Sequence, residues 1–86
     1  MTGRLWVRVL VADTWDAIEI AASPAAMVRD IKCEALRRAG VKGPPDGYLV
    51  KFRGAELWED GRTLGDAGVV DNAGLIVLAR RRRPVR

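Results

Sequence analysis

The residues best equipped for chemistry lie in one polar stretch and on one helical segment. Residues 59–68, EDGRTLGDAG, gather Glu59, Asp60, Asp66, Arg62 and three glycines around a single apolar anchor, Leu64. Glycines and charge together suggest a phosphate cradle. Such a cradle needs its glycines between a strand and a long helix, with a lysine at a set spacing, and neither is present here. Cys33 is the only cysteine and the chain has no histidine. A disulfide within the chain, a Cys/His zinc site, Ser–His or Cys–His catalysis and a cysteine-ligated iron–sulfur cluster are therefore excluded. Cys33 has Arg29 and Arg37 one turn away on either side. That placement favours the thiolate only mildly, and an inert helical cysteine is the simpler reading. The expectation is no catalytic residue, no metal ligand set and no cofactor.

The elements that must position these residues follow from composition and pattern. With 86 residues, about half of them apolar, the chain suits one small domain with a modest core. The net charge of +4 misleads, because five of the last seven residues are arginines: Arg80, Arg81, Arg82, Arg83 and Arg86. Without them ten cations face eleven acidic groups, so the body is near neutral and the basicity belongs to a tail. No run approaches the roughly 20 apolar residues of a membrane-spanning helix. Arg8 interrupts the apolar run near the start, which makes a poor signal peptide. A cytoplasmic protein is expected, and the excess of arginine over lysine fits a GC-rich bacterial genome.

Residues 4–11, RLWVRVLV, are β-branched and aromatic enough for a strand, and Asp13-Thr14 supplies a turn into a second strand over 15–21. Ser23-Pro24 marks a helix start, serine capping free N–H groups and proline occupying the first helical position. The spacing predicts a helix over about 24–39, with Val28, Ile31, Ala35 and Ala39 on one stripe and Met27 and Leu36 at its edges. Gly40 ends it. YLVKFR, AELW and LIVLAR read as a third, a short fourth and a final strand. Trp15 and Trp58 are expected to cap the core in part. One helix on one face of a small mixed sheet is an α+β, two-layer domain.

The order of elements and the segment FRGAELWEDGRTLGDAGVVDNAGLIVLARRR together resemble ubiquitin. The specific part is EDGRTL, preceded by a strand ending Phe-x-Gly. The resemblance implies the ubiquitin-like β-grasp, a mixed four- to five-stranded sheet on one helix. It places a domain over 1–79 and a flexible basic tail over 80–86. It also makes the loop an irregular turn with one short helix, with Leu64 as a core plug and Gly61 as a backbone requirement. Lys32, one position off Ile31, matches a lysine that ubiquitin buries against the Asp of the same motif, here Asp60. A Lys32–Asp60 ion pair is thus implied as a structural tie of helix to loop, not as a catalytic pair.

Conjugating members of the family end in Gly-Gly. Arg83 and Pro84 stand at those positions, and no Gly-Gly occurs in the chain. What the resemblance leaves is binding. By position, Lys51, Ile76 and Leu78 occupy the place of ubiquitin's apolar patch, with Lys51 breaking its centre. If Leu5, Val7 and Val9 face the helix, Trp6, Arg8 and Leu10 face outward. Trp6 and Leu10 would then lie beside Ile76 and Leu78, with Leu49 across the last strand and Arg8, Lys51, Arg53 and Arg80 around them. A register shifted by one would put Trp6 in the core instead. The reading is a non-conjugated adaptor or regulatory subunit that docks another protein or a second copy of itself. The run TLGDAGVVDNAGLIVL resembles small ubiquitin-like proteins that accompany type VII secretion systems. Two alternatives remain: a bacterial ubiquitin-like modifier, and nucleic-acid binding by the arginine tail.

Overall fold

The structure, a computed structural model, describes residues 4–57 and 61–80. Strands β1 (Leu5–Val11) and β2 (Asp16–Ala22) form a hairpin, followed by helix α1 (Val28–Ala39) and a short 3-10 turn at Pro45–Gly47. Strands β3 (Tyr48–Phe52), β4 (Ala55–Leu57) and β5 (Ala73–Ala79) complete the sheet. The five strands make one sheet in the order β2-β1-β5-β3-β4. Only β1 and β5 run parallel; the other neighbours are antiparallel. This is the expected α+β arrangement, with the first and last strands side by side at the centre.

Alternation sets the core. Val7, Val9 and Val11 of β1, Ile20 of β2, Val50 of β3, Leu57 of β4, and Ala73, Leu75 and Val77 of β5 are buried on one face of the sheet. Val28, Ile31, Ala35 and Leu36 of α1 cover them. Each such valine, leucine or isoleucine contributes about 1.5–3 kcal/mol when fully buried.

The helix begins at Val28, four residues later than its local signals predict. Ser23 acts on a turn of its own: its Oγ accepts from the Ala25 N–H at 3.0 Å and its carbonyl from the Ala26 N–H at 3.0 Å. Met27 is extended (φ −77°, ψ 143°) and bridges Thr63. The Val28 N–H donates to the Arg62 carbonyl, Leu64 N–H to Ala26 and Gly65 N–H to Pro24. Pairing with a distant loop thus takes up the backbone of residues 24–27. The buried stripe includes Lys32 and Leu36, whereas Ala39 is only half-buried. The end is as expected: the Gly40 N–H bonds to Arg37 and the Val41 N–H to Leu36, closing the last turn.

In the loop between β4 and β5, Leu64 is fully buried and Gly61 has φ +87°. A side chain on Gly65 would meet the Pro24 carbonyl at 3.2 Å, so the loop lies tightly against the segment that leads into α1. The short helix implied by the resemblance does not form among the described residues. The Ala67 N–H bonds to Thr63, but the next two bonds, Gly68 to Gly65 and Val69 to Leu64, close the chain into a turn. Trp15 is 74% exposed, with φ 57°, and caps nothing. It occupies the left-handed corner of the hairpin, which swings its side chain away from the core. Trp58 lies outside the described residues.

Lys32 is 2% exposed, and its Nζ donates to the Tyr48 carbonyl at 3.0 Å. Asp60, its implied partner, lies outside the described residues. The buried ammonium ties α1 to the start of β3. Replacing Lys32 with Met should lower unfolding free energy in urea by about 1–3 kcal/mol, since the carbonyl loses its donor; an unchanged midpoint would mean the ammonium ties nothing.

At the same place the Tyr48 hydroxyl donates to Asp13 Oδ2 at 2.7 Å, joining β3 to the hairpin tip. That hydrogen bond, with burial and the nearby negative charge, raises the phenol above its ordinary pKa. The folded state therefore holds the proton more tightly than the unfolded chain does. The tie contributes fully below the unfolded phenol's pKa and is lost as pH rises through the folded one. Tyr48 is the only tyrosine, so ultraviolet titration reads it alone. Its midpoint should exceed that of free tyrosine and fall back toward it in Asp13→Ala.

Candidate functional site

With Val7, Val9 and Val11 inward, the pleat sends Trp6, Arg8 and Leu10 out from the opposite face of the sheet. The same parity on β5 turns Gly74, Ile76 and Leu78 outward. Register then sets the neighbours. Ile76 lies between Leu10 on β1 and Lys51 on β3, and Leu78 is opposite Leu49. Ile76 is 42% exposed; Leu10, Leu49, Lys51 and Leu78 are half-buried. All seven residues of the expected face are on one side of the sheet, away from α1.

They do not form one patch. Trp6, 49% exposed, sits beside Asn72, whose N–H donates to the Trp6 carbonyl at 2.7 Å. Trp6 is four residues from Leu10 along β1, about 13 Å at strand rise. Arg8 and its β5 neighbour Gly74 fill the interval. The expected contact of Trp6 with Ile76 and Leu78 is therefore absent, because the parallel register sets Ile76 beside Leu10, four residue pairs along from Trp6. The face has an aliphatic cluster of Leu10, Ile76, Leu78 and Leu49 around Lys51. Apart from it stands a tryptophan beside a shallow depression lined by Arg8, Glu19 and Asn72.

Charge on this face is largely paired within the molecule. Arg8 Nε is 3.7 Å from Glu19 Oε2, its cross-strand neighbour, and both side chains are exposed. Arg80 is not a free tail residue: its N–H bonds to the Gly47 carbonyl at 2.8 Å and its Nε to the Asp46 carbonyl at 3.2 Å. Its guanidinium also pairs with Glu56 Oε2 at 3.2 Å. The other tail arginines, Arg81, Arg82, Arg83 and Arg86, lie outside the described residues. Arg53 stands over the Phe52 ring, 5.2 Å from its centroid. Lys51 is directly opposite Glu56, yet among the described residues its ammonium has neither an ion pair nor a hydrogen bond.

Three polar contacts of the sheet had no signal in the sequence. Asp71 accepts from the Trp6 N–H at 2.8 Å, Asp13 from Tyr48, and Glu56 from Arg80. Each pair is separated by 24 residues or more, so no local pattern announces it. The described residues hold no group of three His, Cys, Asp or Glu side chains that could bind a metal. No helix among them is long and apolar enough to cross a membrane. The outward face presents apolar contact area and charge.

No protein-family model matches the sequence, and no curated protein is significantly similar to it. Solved structures do resemble it. The ubiquitin of Caldiarchaeum subterraneum superposes with a TM-score of 0.77 at 21% identity, over 93% of this chain and 98% of that one. A de novo designed protein based on ubiquitin superposes with a TM-score of 0.78 at 17% identity, over 98% of each chain. At these identities the likeness is one of fold, and it spans the length of the molecule. Parallel pairing of the first and last strands, one helix across the sheet and a buried leucine in the crossing loop agree with it: the chain has the ubiquitin-like β-grasp fold.

Proposed function

We propose that this chain is a ubiquitin-like protein-interaction module, an adaptor or regulatory subunit that docks a partner through the outward face of its sheet and is not itself conjugated. The observation that carries this reading is the cluster around Ile76. Four aliphatic side chains from three strands are neighbours there, with Ile76 well exposed and Lys51 directly beside it. Contiguous apolar surface with a polar rim is what a protein interface offers. The absence of Gly-Gly supports a binding role over a modifying one, since Arg83 and Pro84 put side chains where a modifier needs none. The likeness of residues 63–78 to ubiquitin-like components of type VII secretion-like systems supports a place in such an assembly.

The test is photo-cross-linking in the producing cell, with the reactive group at position 76 and, as control, at position 29 on α1. A discrete adduct from position 76 alone is expected. Ile76→Asp should weaken capture by about 2 kcal/mol or more, as for a central interface residue. Trp6→Ala should weaken it less, given the separation of Trp6 from the cluster. Equal adducts from both positions would remove the proposed face. Incubation with a ubiquitin-activating enzyme and ATP should leave the chain unmodified, and a covalent adduct would make it a modifier.

A further inference from the structure

Resting on that reading, we infer that the partner carries a carboxylate, set among apolar side chains, that meets Lys51. Lys51 lies within the aliphatic cluster: Ile76 is its direct neighbour on β5, and Leu10 is the next residue across that row. Lys51 is half-buried, as fits a long side chain whose stem lies along apolar neighbours while its ammonium keeps to water. The only carboxylate opposite it, Glu56, is already held by Arg80 at 3.2 Å, and Arg80 is itself anchored by two backbone contacts. Arg8 is paired with Glu19. Lys51 is thus the cation at the centre of the face for which the described residues supply no counter-ion.

A docked partner removes water from this centre. An apolar group seated over Lys51 would bury a charge without compensation, which costs far more than the apolar contact returns. A carboxylate at the same point supplies a charge-assisted hydrogen bond in a water-poor setting. Lys51 therefore rejects wholly apolar partners and selects acidic–apolar ones, so one residue provides both the attraction and the exclusion that specificity needs. The occupant is a segment of another protein in which Asp or Glu is flanked by large aliphatic or aromatic residues.

The probe is a random peptide display library selected on the folded full chain, on Lys51→Glu and on Lys51→Ile. Peptides from the unaltered chain should carry Asp or Glu between apolar residues, and those from Lys51→Glu should carry Lys or Arg there. A selected peptide remade with Gln or Asn at the acidic position should bind the unaltered chain about tenfold more weakly. The same change should have no effect on Lys51→Ile. Ile76→Asp should abolish binding in every case. If Ile76→Asp abolishes binding but neither the acidic preference nor the Lys51 dependence appears, this inference fails while the docking face stands. Acid dependence that persists in Lys51→Ile would place the recognising cation elsewhere, and also overturns it. Binding indifferent to Ile76→Asp would overturn the docking face itself.

Discussion

Val7, Val9 and Val11 are sealed from solvent beneath α1, and the pleat then allows Trp6, Arg8 and Leu10 only one direction. Because β1 lies at the centre, hydrogen-bonded to both β2 and β5, this choice propagates sideways. It turns Ala73, Leu75 and Val77 inward and Ile76 and Leu78 outward on one flank, and Ile20 inward on the other. A slip of one residue would bury Arg8 and expose three valines, exchanging about 1.5–3 kcal/mol of burial per valine for an uncompensated charge. The composition of the outward face is thus a consequence of how the inward face packs.

Parallel strands need a crossover, and the crossover is held by ties that reach far along the chain. Asp71 and Asn72 bond to the N–H and carbonyl of Trp6, pinning the start of β5 to β1. At the opposite end Asp13 holds Tyr48, and Lys32 holds the Tyr48 carbonyl. The exposed members of this set contribute little each to stability. The buried Lys32 contributes more, since a buried ammonium and a carbonyl deprived of each other both pay for desolvation. What these ties secure is register, on which the outward face depends.

The open edges of the sheet bear on recognition as well. The Trp6 carbonyl points to β5, so Trp6 and Arg8 turn their backbone groups from β2, and their partners Ala21 and Glu19 turn theirs to the free edge. Such an edge invites pairing with another strand. Arg38 occupies the Glu19 carbonyl at 3.1 Å while its Nε is held by Glu34 at 2.6 Å. Hydrogen bonds from Arg37 and Arg38 keep the Glu34 carboxyl below the usual carboxylate pKa, so this guard is fully charged at neutral pH. The β2 edge is thus guarded at its middle.

The residue pattern alone determined the α+β class, four of the five strands closely, the Gly40 helix end and the alternation that puts Trp6, Arg8 and Leu10 on one face of β1. These follow from periods of two and near four and from backbone requirements, which neighbouring residues encode. The tertiary structure decided what depends on distant partners. It moved the helix start to Val28, because residues 24–27 pair with a loop nearly forty residues away. It set Trp6 apart from Ile76, because the offset of two parallel strands is not written in either strand. It drew Arg80 onto Glu56 and so left Lys51 without that carboxylate. Local sequence specifies which way a side chain points; which side chain it meets is settled by register and by competition among charges, and both exist only once the chain has closed on itself.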